Sequence, residues 1–129
     1  MAIAMNEIPL LNKNFPFEPQ PVSRVVAYRL DVEHLGRSVA PESHLLAQRR
    51  LLVGRGEAND VRLYSTLRMV SQYHLMLYYE DGRYWARDVG SKNGTWHNGT
   101  RLPQGVSVGL LDEDTLQVGD FLLTFFHMG

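Results

Sequence analysis

The sequence predicts an all-β fold, an antiparallel sandwich of about ten or eleven short strands, and three observations carry that expectation. Two-residue turn signals, Asp81-Gly82, Asn98-Gly99 and Gly119-Asp120, each link two runs of β-branched and aromatic residues, which is the strongest local mark of a hairpin. The runs themselves alternate apolar with polar residues at the period of a half-buried strand. No stretch carries the apolar period of an amphipathic helix of useful length, and short strands with turn signals roughly every ten residues build sandwiches.

At 129 residues the chain fits one domain, large enough to bury a core without disulfide or metal staples. Cysteine is absent, which removes a disulfide framework and a thiolate zinc site and suits a reducing cytoplasm. A formal net charge of -1 argues against the basic footprint of a nucleic-acid binder. No apolar run reaches the roughly 18 residues of a membrane span, and the first residues lack the pattern of a signal peptide. The histidines show no metal-ligand spacing, and nothing in the sequence asks for a cofactor.

In chain order, residues 1–23 hold four of the six prolines among Asn and isolated apolar residues, and read as an extended arm. Residues 24–129 are then the sandwich. Val25 to Val32 alternates as a first strand, and residues 33–48 read as a loop, with room for a helical turn after Pro41. Strands follow over Arg49–Gly54, Val61–Leu63 and Tyr73–Glu80. The hairpin signals then separate Arg83–Val89, Thr95–His97, Thr100–Leu102, Thr115–Val118 and Phe121–His127. Trp85 and Trp96 read as packing residues of the sandwich.

Polar groups gather where these strands end. Gly54-Arg55, Ser71-Gln72-Tyr73-His74 and Gly90-Ser91-Lys92-Asn93-Gly94-Thr95 each set a donor beside a turn, the place where loops on a rigid scaffold carry recognition. Taken singly, Arg55 is an ordinary surface arginine, Ser71 a turn residue and Asn93-Gly94 a hairpin corner. Together, a guanidinium fork, a hydroxyl and outward-facing backbone N–H groups make a shallow anion site. A phosphorylated side chain, with close to two negative charges and three acceptor oxygens, needs such a set.

In order and spacing these motifs resemble the forkhead-associated (FHA) domain, a phosphothreonine-binding β-sandwich, over about Val25 to Phe126. The resemblance implies that Arg55 and Ser71 grip the phosphate and that Asn93 fixes the backbone of the ligand. It implies structural roles for Gly54, Gly94 and His74, the last bracing the loops from beneath. The implied partner is a phosphothreonine-containing protein, the substrate of a Ser/Thr kinase, and such domains commonly belong to larger signalling or secretion assemblies. Gln72 departs from the family, which often has Arg or Lys after the motif serine. Lys92 stands where the family commonly has a small hydroxyl residue and is placed to restore the charge. Arg68 and Ser91 are secondary candidates. The missing cation keeps a second function open, a scaffold domain of the same fold that binds an unphosphorylated partner. An enzyme is disfavoured, because Ser71, Ser91, His74 and Asp88 are the only material for a triad and lack a nucleophile turn.

Overall fold

The structure, a computed structural model, describes residues 27–128; the expected arm over 1–23 and the start of the expected first strand lie outside the described residues. Among these, eleven strands and no helix are found. They are β1 (Ala27–His34), β2 (Glu42–Leu46), β3 (Arg50–Gly54), β4 (Val61–Arg62), β5 (Leu75–Glu80) and β6 (Arg83–Asp88). The rest are β7 (Thr95–His97), β8 (Thr100–Arg101), β9 (Ser107–Gly109), β10 (Thr115–Val118) and β11 (Phe121–Met128).

Two sheets result, one of five strands in the order β9-β6-β5-β3-β4 and one of six in the order β2-β1-β11-β10-β7-β8. Their alternating inner residues meet as one core. Leu51, Val53, Leu75, Leu77 and Ala86 line the five-stranded sheet, and Leu30, Leu116, Val118, Leu123 and Phe125 the other, all at most 2% exposed. Each large side chain so buried stabilises the fold by about 1.5–3 kcal/mol before conformational entropy is counted. The two tryptophans pack half-buried, with Arg83 over the Trp85 ring at 5.6 Å and Arg101 over the Trp96 ring at 5.4 Å.

The hairpin signals act as their chemistry requires. Asp81 and Gly82 have φ of 54° and 79°, and Asn98 and Gly99 of 50° and 85°. Paired positive φ values are the type I′ turn, whose twist matches the strands it joins.

Three details differ from the sequence reading. The segment after Pro41 forms no helical turn but the strand β2, paired with β1, and β9 adds a strand at Ser107–Gly109, paired with β6. Both lie at sheet edges, where one face and one side stay in solvent and the apolar alternation that marks a strand is not needed. The sandwich is also not wholly antiparallel, since β4 runs parallel to β3 with Val61 opposite Val53. The link between them is tight because Asp60 holds Leu52 twice, its carboxylate accepting from the Leu52 N–H at 2.7 Å and its N–H donating to the Leu52 carbonyl at 2.9 Å.

Candidate functional site

The loops 55–60, 63–74 and 89–94 leave the same end of the sandwich, after β3, before β5 and after β6, and backbone bonds fasten the first two together. Arg55 N–H donates to the Ser71 carbonyl at 3.0 Å and Gly56 N–H to the Gln72 carbonyl at 3.2 Å. Asn59, almost buried, adds its amide, donating to the carbonyls of Gly56 at 2.9 Å and Gln72 at 2.7 Å. This close approach accounts for Gly54. A Cβ there would stand 2.4 Å from the Gln72 carbonyl oxygen, a clash with backbone that only glycine avoids.

His74 ties the second loop to the third. Its ring is 0% exposed; Nδ1 accepts from the Ser71 N–H at 3.0 Å, so Nε2 carries the proton and donates to the Gly94 carbonyl at 2.8 Å. Burial pushes its pKa below 6.5, outweighing the Gly94 bond and the charge of Asp88, which act the other way. The ring is a neutral brace.

The third loop is wound around Asp88, 0% exposed at the inner end of β6. One carboxylate oxygen accepts from the N–H groups of Gly90 at 2.9 Å and Ser91 at 2.8 Å, the other from the hydroxyls of Ser91 at 2.6 Å and Thr95 at 2.7 Å. Burial alone would raise this carboxyl, but the four bonds outweigh it and hold the pKa below the ordinary value. Ser91 is therefore corrected as a ligand candidate. It is 3% exposed, and its hydroxyl, donating to Asp88, also accepts from the Gly94 N–H at 2.9 Å, which leaves it no donor for a ligand.

Above these braces opens a cavity of about 230 Å³. Arg55, Ser71, Gln72, Lys92, Asn93 and Arg68 all line it, with Met69 and Val70. Arg55 uses Nε on the Val70 carbonyl at 3.1 Å, and its terminal amino groups have no partner among the described residues. The Ser71 hydroxyl accepts from the Lys92 N–H at 2.9 Å, so its own proton remains to be donated. Asn93 gives one amide proton to the Met69 carbonyl at 2.9 Å and keeps its other N–H and its oxygen. Gln72 lies against Gly56, where a Cβ would meet its Cγ at 2.8 Å. The lining thus carries three cationic side chains, Arg55, Arg68 and Lys92, and no carboxylate. Such a surface attracts a compact anion.

A larger cavity of about 610 Å³ lies at the opposite end, walled by Tyr28, Tyr79, Tyr84 and Leu46. No cluster of three metal-type side chains occurs among the described residues.

Two residues that build the site were not singled out from sequence as its supports. Asn59 stood in a Gly-Glu-Ala-Asn-Asp turn, whose small polar residues signal only a turn. Asp88 gave the better clue, since it continues the inward register of Tyr84 and Ala86, and a buried acid must find partners.

A family model described as FHA domain matches residues 51–119 of the chain. Among solved structures, the chain is similar to full-length yeast Pml1p, with a TM-score of 0.74 and 19% identity over 84% of this chain and 87% of that one. It is similar to the FHA domain of the CT664 protein from Chlamydia trachomatis, with a TM-score of 0.68 and 19% identity over 80% and 99%. Both likenesses are of fold. It also resembles Mycobacterium tuberculosis EmbR, solved in complex with a low-affinity phosphopeptide, with a TM-score of 0.64 and 27% identity over 78% of this chain and 24% of EmbR.

Proposed function

The chain belongs to the FHA domain family, whose domains are interaction modules, and from that premise we propose that its loop end binds a phosphothreonine-containing segment of a partner protein. Arg55 takes two phosphate oxygens with its free fork, Ser71 donates its hydroxyl to another, and Lys92 and Arg68 supply the remaining positive charge. Asn93 holds the ligand backbone. Gln72 contributes a neutral donor at most, and Val70 and Met69 give the threonine methyl an apolar wall. The partner is a kinase substrate, met in the cytoplasm as one part of a larger assembly.

The observation that supports this most is the composition of one small cavity, three cations and a free hydroxyl proton without a carboxylate. A doubly charged anion needs more than one cation to offset its desolvation. The scaffold alternative draws on Gln72, but Lys92 and Arg68 on the same wall weaken that argument. Titration of the chain with a phosphothreonine peptide, its unphosphorylated twin and its phosphoserine counterpart separates the two. Binding of the first alone, or of the first above the third, is expected. Equal affinity for the phosphorylated and unphosphorylated peptides would establish the scaffold function instead.

A further inference from the structure

The cavity of about 610 Å³ lies at the end of the sandwich away from the loops that carry the phosphate site. We propose that it is a separate ligand site, taking an aromatic or bulky aliphatic group that bears a carboxylate. The inference stands apart from the phosphothreonine reading, since the two cavities share no lining residue.

The hollow opens where the ends of the two sheets part. Tyr28 enters it from the start of β1 and His127 from the end of β11, both in the six-stranded sheet. Tyr79 and Tyr84 enter from the hairpin of β5 and β6, in the five-stranded one. Residues 47–49, which carry the chain from β2 to β3, close one side. Its size suits a small organic ligand or one large side chain.

The apolar lining is built in advance. The Tyr28 ring has His127 stacked on it at 4.7 Å, with Tyr84 edge-on at 4.9 Å and Tyr79 edge-on at 5.8 Å. Tyr84 is held in turn by its hydroxyl, which donates to the Gln48 carbonyl at 2.7 Å. Leu45, 74% exposed, also lines the hollow, with the exposed Ala47 beside it. Rings fixed in this way receive a further ring or a branched aliphatic group at little ordering cost.

The polar groups set the charge of the ligand. Arg49, exposed, is the one arginine or lysine among the described lining residues, which include no carboxylate. The ion pairs among the described residues do not involve it. The nearby Asp112 accepts from the His127 N–H at 2.8 Å and does not line the hollow. Burial first, and then the hydrogen bond and charge of Tyr79, push the Tyr28 hydroxyl up to about 12, and burial raises Tyr84 as well. Both phenols therefore stay neutral at physiological pH and add no negative charge. A guanidinium beside an apolar hollow holds a carboxylate through two N–H groups while the rest of the ligand is buried. A phosphate suits the place less, because a dianion needs more than one cation to offset its desolvation.

Calorimetric titration with indole-3-acetate and its uncharged amide, indole-3-acetamide, tests this on the wild type, Arg49→Glu, Ala47→Phe and Arg55→Ala. Positions 47 and 49 are exposed, so thermal unfolding of both variants should match the wild type. The wild type is expected to bind the acid about tenfold or more above the amide. Arg49→Glu should abolish or reverse that preference. Ala47→Phe should narrow the hollow and weaken both probes by about tenfold, and Arg55→Ala, at the other end, should change neither. If Ala47→Phe fails to fold, the ratio of acid to amide in Arg49→Glu decides alone. An unphosphorylated peptide that places Trp next to Glu separates the sources of the ligand. Binding tighter than the free acid assigns the site to a segment of a partner protein, and weaker binding assigns it to a small molecule; each agrees with the site. No saturable binding of either probe, equal binding of acid and amide by the wild type, or binding that Arg55→Ala removes and Arg49→Glu keeps would overturn it, and each leaves the phosphate reading intact.

Discussion

Replacing His74 by alanine is expected to cost about 3–5 kcal/mol of stability, and the estimate follows from what the ring touches. The substitution removes two hydrogen bonds, from the Ser71 N–H and to the Gly94 carbonyl. Each buried backbone group left without a partner costs about 1–3 kcal/mol, and the emptied volume adds a packing loss that water entering the space would partly offset. Against a total stability of roughly 5–15 kcal/mol the variant should still fold. Urea unfolding followed by Trp85 and Trp96 fluorescence should show a lower midpoint at unchanged slope. His74→Phe fills the volume without bonding either group and should still cost about 2–3 kcal/mol. If alanine costs less than about 1 kcal/mol, or phenylalanine is tolerated, the ring is not the brace that joins the two loops.

The same residue gives a pH test. Burial holds the folded pKa below 6.5, so on acidification the unfolded chain takes up this proton first. Stability at this site is therefore complete above about pH 6.5 and declines below it, by up to about 1.4 kcal/mol per pH unit, until the folded ring also protonates. The difference between wild type and His74→Phe isolates that slope from the other histidines; parallel pH curves would contradict a buried neutral ring.

Further outcomes follow from single contacts. Gly54→Ala should cost about 2–3 kcal/mol in urea unfolding, because its Cβ meets the Gln72 carbonyl oxygen rather than a movable side chain. Asp88→Asn should destabilise by about 2–3 kcal/mol; the lowered carboxyl pKa places the wild-type contribution above pH 3.8, to be lost as pH falls through the folded value, and the variant should lack that acid limb. Arg55→Ala should weaken phosphopeptide binding in calorimetry by about 2–3 kcal/mol or more and cost about 0.5–1.5 kcal/mol of stability through the lost Val70 bond. Lys92→Ala should weaken binding by about 1 kcal/mol, less at high salt, and Gln72→Arg should strengthen it; no change in either would remove the charge argument for this wall.

Legibility in the sequence followed physical necessity. The hairpins at Asp81-Gly82 and Asn98-Gly99 could be read because positive φ at two successive residues restricts the choice of residue so strongly. The central strands could be read because both neighbours and one face bury them. Edge strands such as Glu42–Leu46, with one residue buried of five, carry no such constraint. Ser91 is a related case. A serine in a Gly-rich loop looks the same whether its hydroxyl faces a ligand or a buried carboxylate, and only the inward register of Asp88 distinguishes the two.

The candidate site divides the motif residues into two kinds of work. Gly54, His74 and Gly94 are consumed in fastening loop to loop, through the Gln72 carbonyl and the Ser71 N–H, and Ser91 in closing its own loop on Asp88. The groups left to meet a ligand are few: the terminal amino groups of Arg55, the hydroxyl proton of Ser71, the ammonium of Lys92, part of the Asn93 amide, and Arg68. The fastening residues fix the spacing by which the motif is recognised, because a shift of one position would break a buried bond. The ligand-facing charges carry no such restriction, since a cation reaches the same cavity from 68 or 92 as well as from 72. An arginine or lysine absent at position 72 therefore does not imply an absent charge, because Arg55, Arg68 and Lys92 line the same wall.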